Sequence, residues 1–190
     1  LDKKEMKIHI FGASGSGVST LGRALALELQ IPFFDADDYY WKQTDPPFVE
    51  ANPIDERKQL LKNAVTAYDS WVVSGTLVSW GDSIQNEFDF AIYLSVPAGE
   101  RIQRLKLRQT LQFANRIEVG GDMYKGHLKF LDWAAQYDEG RLNGRSKPRH
   151  EAWMKTLKCS LLRIDGVVST QESMTMILEF ISVNQKKDIN

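Results

Sequence analysis

Apolar residues follow two different periods along this chain. In residues 7–11, 71–76, 90–96 and 161–164 most positions of a short run are apolar, the pattern of strands buried on both faces. A shorter strand leads from Pro32-Phe-Phe34 into Asp35-Ala-Asp-Asp-Tyr-Tyr-Trp41, with carboxylates and aromatics crowding its end. Between the strands apolar positions recur every three or four residues. Residues 19–30 put Leu21, Ala24, Leu25 and Leu29 on one helical face, and similar spacing predicts helices over 54–68, from Pro97 onward, over 123–137 and over 172–183. Loops are expected at Thr44-Asp-Pro-Pro-Phe48, over 113–121 and over the Gly- and Arg-rich stretch 138–148. The alternation predicts one α/β domain over residues 1–190, a parallel sheet with helices on both faces. No repeat, linker or second domain interrupts it, and the polar tail from Gln185 is expected to fray.

The turn between the first strand and the first helix carries the most specific chemistry. Gly12-Ala-Ser-Gly-Ser-Gly-Val-Ser-Thr20 matches the phosphate-loop pattern G-x-x-x-x-G-K-[ST] except that Val18 stands at the lysine position. Backbone N–H groups from Gly12 and Ala13 through Ser14, Gly15, Ser16 and Gly17 to Val18, Ser19 and Thr20 are expected to cradle the phosphates of ATP, aided by the positive end of the helix dipole. The Ser19 hydroxyl falls where Mg²⁺ would be met. A nest of N–H groups binds phosphate without the lysine, but phosphoryl transfer normally uses a cation to offset developing charge. The cation must then come from elsewhere in the chain.

Composition narrows the partners. With a formal net charge of −1 the chain has no global attraction for nucleic acid or anionic membrane, so phosphate attraction must be local and no nucleic-acid partner is expected. Lone Cys159 excludes an internal disulfide and fits a reducing cytoplasm. No apolar run is long enough to span a bilayer, and residues 1–6 lack the apolar core of a signal peptide, with Met6 a candidate start. His9 reads as a hydrogen-bonded core residue, and His127 and His150 have no partners at metal spacing.

Five stretches in order resemble the adenylate kinase-like group of P-loop kinases, which includes nucleoside monophosphate, shikimate and gluconate kinases. They are the glycine loop, Asp35-x-Asp37, Ser74-Gly75-Thr76, Val96-Pro-x-x-x-Arg101-x-x-Arg104-Leu-x-x-Arg108, and Arg163-Ile-Asp165-Gly166. The resemblance implies a three-layer fold with a five-stranded parallel sheet of order 2-3-1-4-5 and a lid over about 113–149. It also implies ATP and Mg²⁺, with Ser19 and Asp35 holding the metal. Asp35 and Asp37 would hold hydrated Mg²⁺ and orient the acceptor hydroxyl, with Asp37 the catalytic carboxylate; the alternative is that Asp35 to Asp38 cap a helix. Arg104 would act on the transferring group and Arg108 on nucleotide phosphates, while Arg101 could equally be a solvated surface residue. Asp165-Gly166 would pack against the base. Gly75 and the aromatics Tyr40, Trp41 and Trp80 would surround the acceptor, or serve as packing. In the lid region Arg116, Arg141, Arg145 and Arg149 stand in a stretch broken by Gly144 and Pro148. One or more of Arg116, Arg145 and Arg149 is expected to replace the missing lysine, the alternative being a solvated basic loop.

The resemblance therefore implies a cytoplasmic ATP-dependent phosphotransferase, monomeric or homodimeric, acting on an unidentified small molecule through a hydroxyl or phosphate. Val18 keeps open a second class, a nucleotide-binding module without efficient transfer.

Overall fold

The computed structural model describes residues 5–140 and 144–187. Five strands, β1 (Lys7–Gly12), β2 (Phe33–Asp35), β3 (Trp71–Ser74), β4 (Phe90–Ser95) and β5 (Ser160–Asp165), form one sheet in the order β2-β3-β1-β4-β5. Every pairing is parallel. The first strand lies at the centre, and the chain leaves it in opposite directions to build the two halves, so the carboxyl ends of β1, β3 and β4 surround a crevice.

Successive side chains on a strand point to opposite faces, and here both faces are apolar. Ile8, Ile10, Val72, Phe90, Ile92 and Leu94 pack against Leu21 and Leu25 of α1 (Val18–Leu29) and Ile177 and Ile181 of α7 (Thr170–Lys187). Phe11, Trp71, Val73, Ala91 and Tyr93 face the other way, onto Leu61 and Val65 of α3 (Ile54–Val65) and Trp153 and Met154 of α6 (Lys147–Met154). His9 belongs to that second face, stacked at 4.9 Å against both Phe11 and Phe88.

Several boundaries differ from the sequence expectation. Asp35 ends β2 and caps α2 (Ala36–Tyr40), its carboxylate accepting from the Asp37 N–H at 3.2 Å, so Asp37 stands on a helix rather than on a strand face shared with Asp35. Ala98–Phe113 forms α4, and Tyr124–Ala135 forms α5, joined by a short 3₁₀ turn over Ala114–Ile117. The loop expected over 138–148 ends early because α6 begins at Lys147; Pro148 sits in its first turn, where a missing N–H costs nothing. The last helix continues through Lys187, past the Gln185 at which fraying was expected, and residues 188–190 lie outside the described residues. No helix among the described residues is long and apolar enough to cross a membrane.

Candidate functional site

The glycine loop closes as its sequence requires. Gly15 and Gly17 adopt positive φ angles of 82° and 93°, Gly17 capping the start of α1, and the Ser16 hydroxyl donates to the Ala13 carbonyl at 2.7 Å. At Gly15 the Arg101 carbonyl of α4 comes so near that a Cβ would sit 2.6 Å from it. Val18 is partly buried, its side chain lying beside Gly12 and packing against the core cluster that holds Leu21 and Leu25. The lysine position is thus absorbed into packing.

Asp35 and Ser19 meet beside this loop. The Ser19 hydroxyl beside the Asp35 carboxylate favours its charged form, but burial outweighs it and pushes the pKa above the ordinary value. One hydroxyl and one carboxylate at a helix N-terminus are the donor set that Mg²⁺ uses when substrate phosphates and waters complete its shell, so these residues fit the metal. Thr20 is exposed.

Arg145, 131 residues along the chain from Ser14, stands beside the glycine loop. Its guanidinium donates to Ser14 Oγ at 3.1 Å and lies 3.5 Å from Asp37 Oδ1, over the Trp133 ring at 5.9 Å. The side chain is 15% exposed, and its Nε is buried without a hydrogen-bond partner. It reaches both Ser14 of the glycine loop and Asp37 of α2.

The other arginines of the sequence reading stand elsewhere. Arg101 is neither solvated nor open to a ligand: it is 0% exposed and donates to Val96 O at 2.9 Å, Ala134 O at 3.1 Å and Asp138 Oδ2 at 2.6 Å. Arg104 pairs with Glu100 one turn back at 2.8 Å, and Arg108 is exposed on α4. Arg116 donates to Asp122 Oδ2 and to Asp45 Oδ1, both at 2.6 Å, so carboxylates rather than the glycine loop occupy it. Arg149 is exposed on α6, and Arg141 lies outside the described residues.

The residues expected around an acceptor stand at and beyond the ends of β2 and β3. Gly75 follows β3 with φ 99°, its carbonyl accepting from His9 Nε2 at 2.9 Å. Trp80 is 2% exposed and its indole N–H donates to Thr76 O at 3.0 Å, which corrects the expectation of a ligand-facing ring. Tyr40 is half-buried and stacks under Arg57; Trp41 lies 4.8 Å from the Tyr40 ring and 6.1 Å from that of Phe48. At the far edge Asp165 ends β5 and the Gly166 N–H donates to Ser95 O at 2.8 Å, a turn at the same end of the sheet.

Sequence reading missed Arg57. It is 8% exposed, its guanidinium centred 4.2 Å over Tyr40 and 5.5 Å over Trp80, with its Nε unbonded and no ion pair among the described residues. The Tyr40 and Trp80 aromatics were legible; their stacking on one arginine of a neighbouring helix was not. Also missed was a buried chain in which His150 meets Thr76 Oγ1 at 2.9 Å and Tyr137 OH at 2.6 Å, while Tyr137 meets Tyr93 OH at 3.0 Å.

No family model matches the chain. Among solved structures, the shikimate kinase of Acinetobacter baumannii in complex with shikimate aligns with a TM-score of 0.55 at 18% identity, over 96% of this chain and 96% of that one. The shikimate kinase of Aquifex aeolicus gives 0.53 at 18% identity, over 95% and 98%. These likenesses establish a shared fold, the P-loop kinase fold with its 2-3-1-4-5 sheet. In sequence, the uncharacterized protein YqaC of Bacillus subtilis (strain 168) is 37% identical over 177 residues, spanning 93% of this chain and 98% of YqaC. The chain belongs to the family of YqaC.

Proposed function

We propose that this protein is an ATP-dependent P-loop phosphotransferase that moves the γ-phosphoryl group to a hydroxyl or phosphate of a small molecule, with Arg145 as the cation that the loop itself lacks. The observation that carries the reading is the Arg145 guanidinium, which touches Ser14 of the glycine loop and Asp37 at once. Loop N–H groups hold the phosphates. Ser19 and Asp35 would hold Mg²⁺, which when bound supplies charge neutralisation on the phosphate oxygens. Asp37, on α2 and half exposed, orients the acceptor hydroxyl or takes its proton, and in the absence of ligand Arg145 balances its charge. As phosphates enter, the same guanidinium moves its hydrogen bonds from Ser14 to phosphate oxygens, so the charge is already in place when the transferring group passes. Arg57 faces the acceptor side as a second cation without a carboxylate partner among the described residues.

The test incubates the protein with γ-labelled ATP and Mg²⁺ against nucleoside monophosphates, nucleosides, polyols and small hydroxy acids. Label in one acceptor faster than ATP hydrolysis is the expected result. Val18, an apolar side chain at the lysine position that packs against the core cluster, favours a second reading, a nucleotide-binding module. Tight ATP binding with no acceptor labelled would select it.

A further inference from the structure

Behind the acceptor side runs the hydrogen-bonded chain Tyr93, Tyr137, His150, Thr76, joining β4, the end of α5, α6 and the end of β3. His150 is 0% exposed, and burial together with the Arg145 charge lowers its pKa to about 3. The ring is therefore neutral and has one N–H for two neighbours. Two proton orders satisfy it. In the inward order Thr76 donates to Nε2, Nδ1–H donates to Tyr137, and Tyr137 donates to Tyr93. The Tyr93 hydroxyl, 1% exposed, must then find another acceptor, and among the described residues its oxygen meets only Tyr137. The charged groups around it are the Arg163 guanidinium, 5.8 Å from the ring and a donor, and the Glu151 and Asp138 carboxylates, which accept from Arg163 and Arg101 instead. In the outward order Tyr93 donates to Tyr137, Tyr137 to Nδ1, and Nε2–H to Thr76 Oγ1, and no proton is stranded. A stranded buried hydroxyl disfavours the inward order by roughly ten-fold or more in population.

The outward order has a consequence at the mouth. Thr76 Oγ already accepts from His150, so its own proton points elsewhere. Thr76 is half-buried and lies two residues beyond Ser74, the strand partner of Asp35, with Trp80 covering its carbonyl. We infer that Thr76 is a ligand-contacting residue held as a hydrogen-bond donor by His150, Tyr137 and Tyr93, so that the site selects an acceptor presenting a carboxylate or phosphoryl oxygen there. His150, Tyr137 and Tyr93 are positioning residues. The inference rests on the phosphotransferase reading for its ligand, though not for its proton order.

The experiment has two parts. Long-range ¹H–¹⁵N correlation spectra of the labelled protein between pH 5 and 8 report histidine tautomers. His9 faces the Gly75 carbonyl through Nε2 and so carries its proton there; His127, whose Nδ1 faces Gln109 Oε1, is removed in the His127→Gln background used for the spectra, so any non-titrating histidine with Nδ1–H is then His150. The outward order predicts that both buried histidines are Nε2–H and do not titrate; an Nδ1–H signal that does not titrate overturns it. In the second part, Thr76→Val and Thr76→Ser are assayed with the acceptors labelled in the transfer screen. Thr76→Val should raise the acceptor KM roughly 10- to 100-fold while the ATP KM stays within about two-fold, and Thr76→Ser should stay near wild type. An unchanged acceptor KM in Thr76→Val overturns the inference. If no acceptor is labelled at all, the phosphotransferase reading fails while the tautomers still decide the proton order.

Discussion

At the level of single residues, the site depends on backbone positions as much as on side chains. Gly15 holds φ at 82° and lets the Arg101 carbonyl approach to where a Cβ would be 2.6 Å away. Gly15→Ala meets both obstacles, a left-handed backbone costing about 1–2 kcal/mol and a clash with main chain that cannot rotate aside. We expect it to lower unfolding free energy by at least ~2 kcal/mol in urea titration and to weaken ATP binding in calorimetry. Intact stability with intact affinity would contradict this account of the loop. The glycine pattern itself was readable in the sequence, because loop geometry is a local property of consecutive residues. Which arginine stands beside the loop was not readable. Arg145 reaches Ser14 across 131 residues, and nothing local distinguishes it from Arg116 and Arg149. Arg116 drops out only when Asp45 and Asp122 are seen beside it.

Among the elements, the strands and most helices follow from hydrophobic period, and the two shortfalls have physical causes. Asp35-x-Asp37 looks like strand alternation, but Asp35 caps a helix instead, the competing role that acidic residues fill well. Helix α6 was missed because Gly144 and Pro148 read as breakers; yet Ser146 at its N-cap position, proline in the first turn, and buried His150, Trp153 and Met154 at helical spacing are its signature. Arg101 fastens α4 to the end of α5 through the Ala134 carbonyl and Asp138, ties it to the residue after β4 through the Val96 carbonyl, and lies 5.1 Å from the Tyr137 ring. Removing a fully buried guanidinium takes away that packing and strands the carbonyls it serves. Arg101→Ala should cost about 3 kcal/mol in urea unfolding and speed amide exchange in α5 before it does so in β1 or β4. Uniform exchange across both regions would show that Arg101 does not hold this junction.

For the molecule as a whole, two buried histidines on one side of the sheet set the response to acid. Burial holds His9 at about 4 and His150 at about 3, against 6.5 for an ordinary histidine. Because the folded values are lowered, the unfolded chain takes up these protons first as pH falls below about 6.5. Their contribution to stability is complete above that pH and declines by roughly 1.4 kcal/mol per pH unit for each histidine until the folded values are reached. Asp35, whose carboxyl is raised, acts with the opposite sign. The thermal midpoint should therefore fall between pH 6.5 and 4.5, before most carboxylates titrate, and a flat profile there would show that the histidines are not held neutral.

The order of the sheet and the convergence of loop, acidic pair and basic segment at its carboxyl end were legible through the resemblance. Whether the borrowed cation works is a separate matter, decided by restoring the lost one. Turnover with the labelled acceptor should be compared in the wild type, Arg145→Ala, and Arg145→Ala combined with Val18→Lys. The account predicts a fall of roughly 100- to 1,000-fold for Arg145→Ala with the fold intact, and recovery of at least about ten-fold when a lysine returns to position 18. Arg145→Ala turning over within a few-fold of wild type would contradict it.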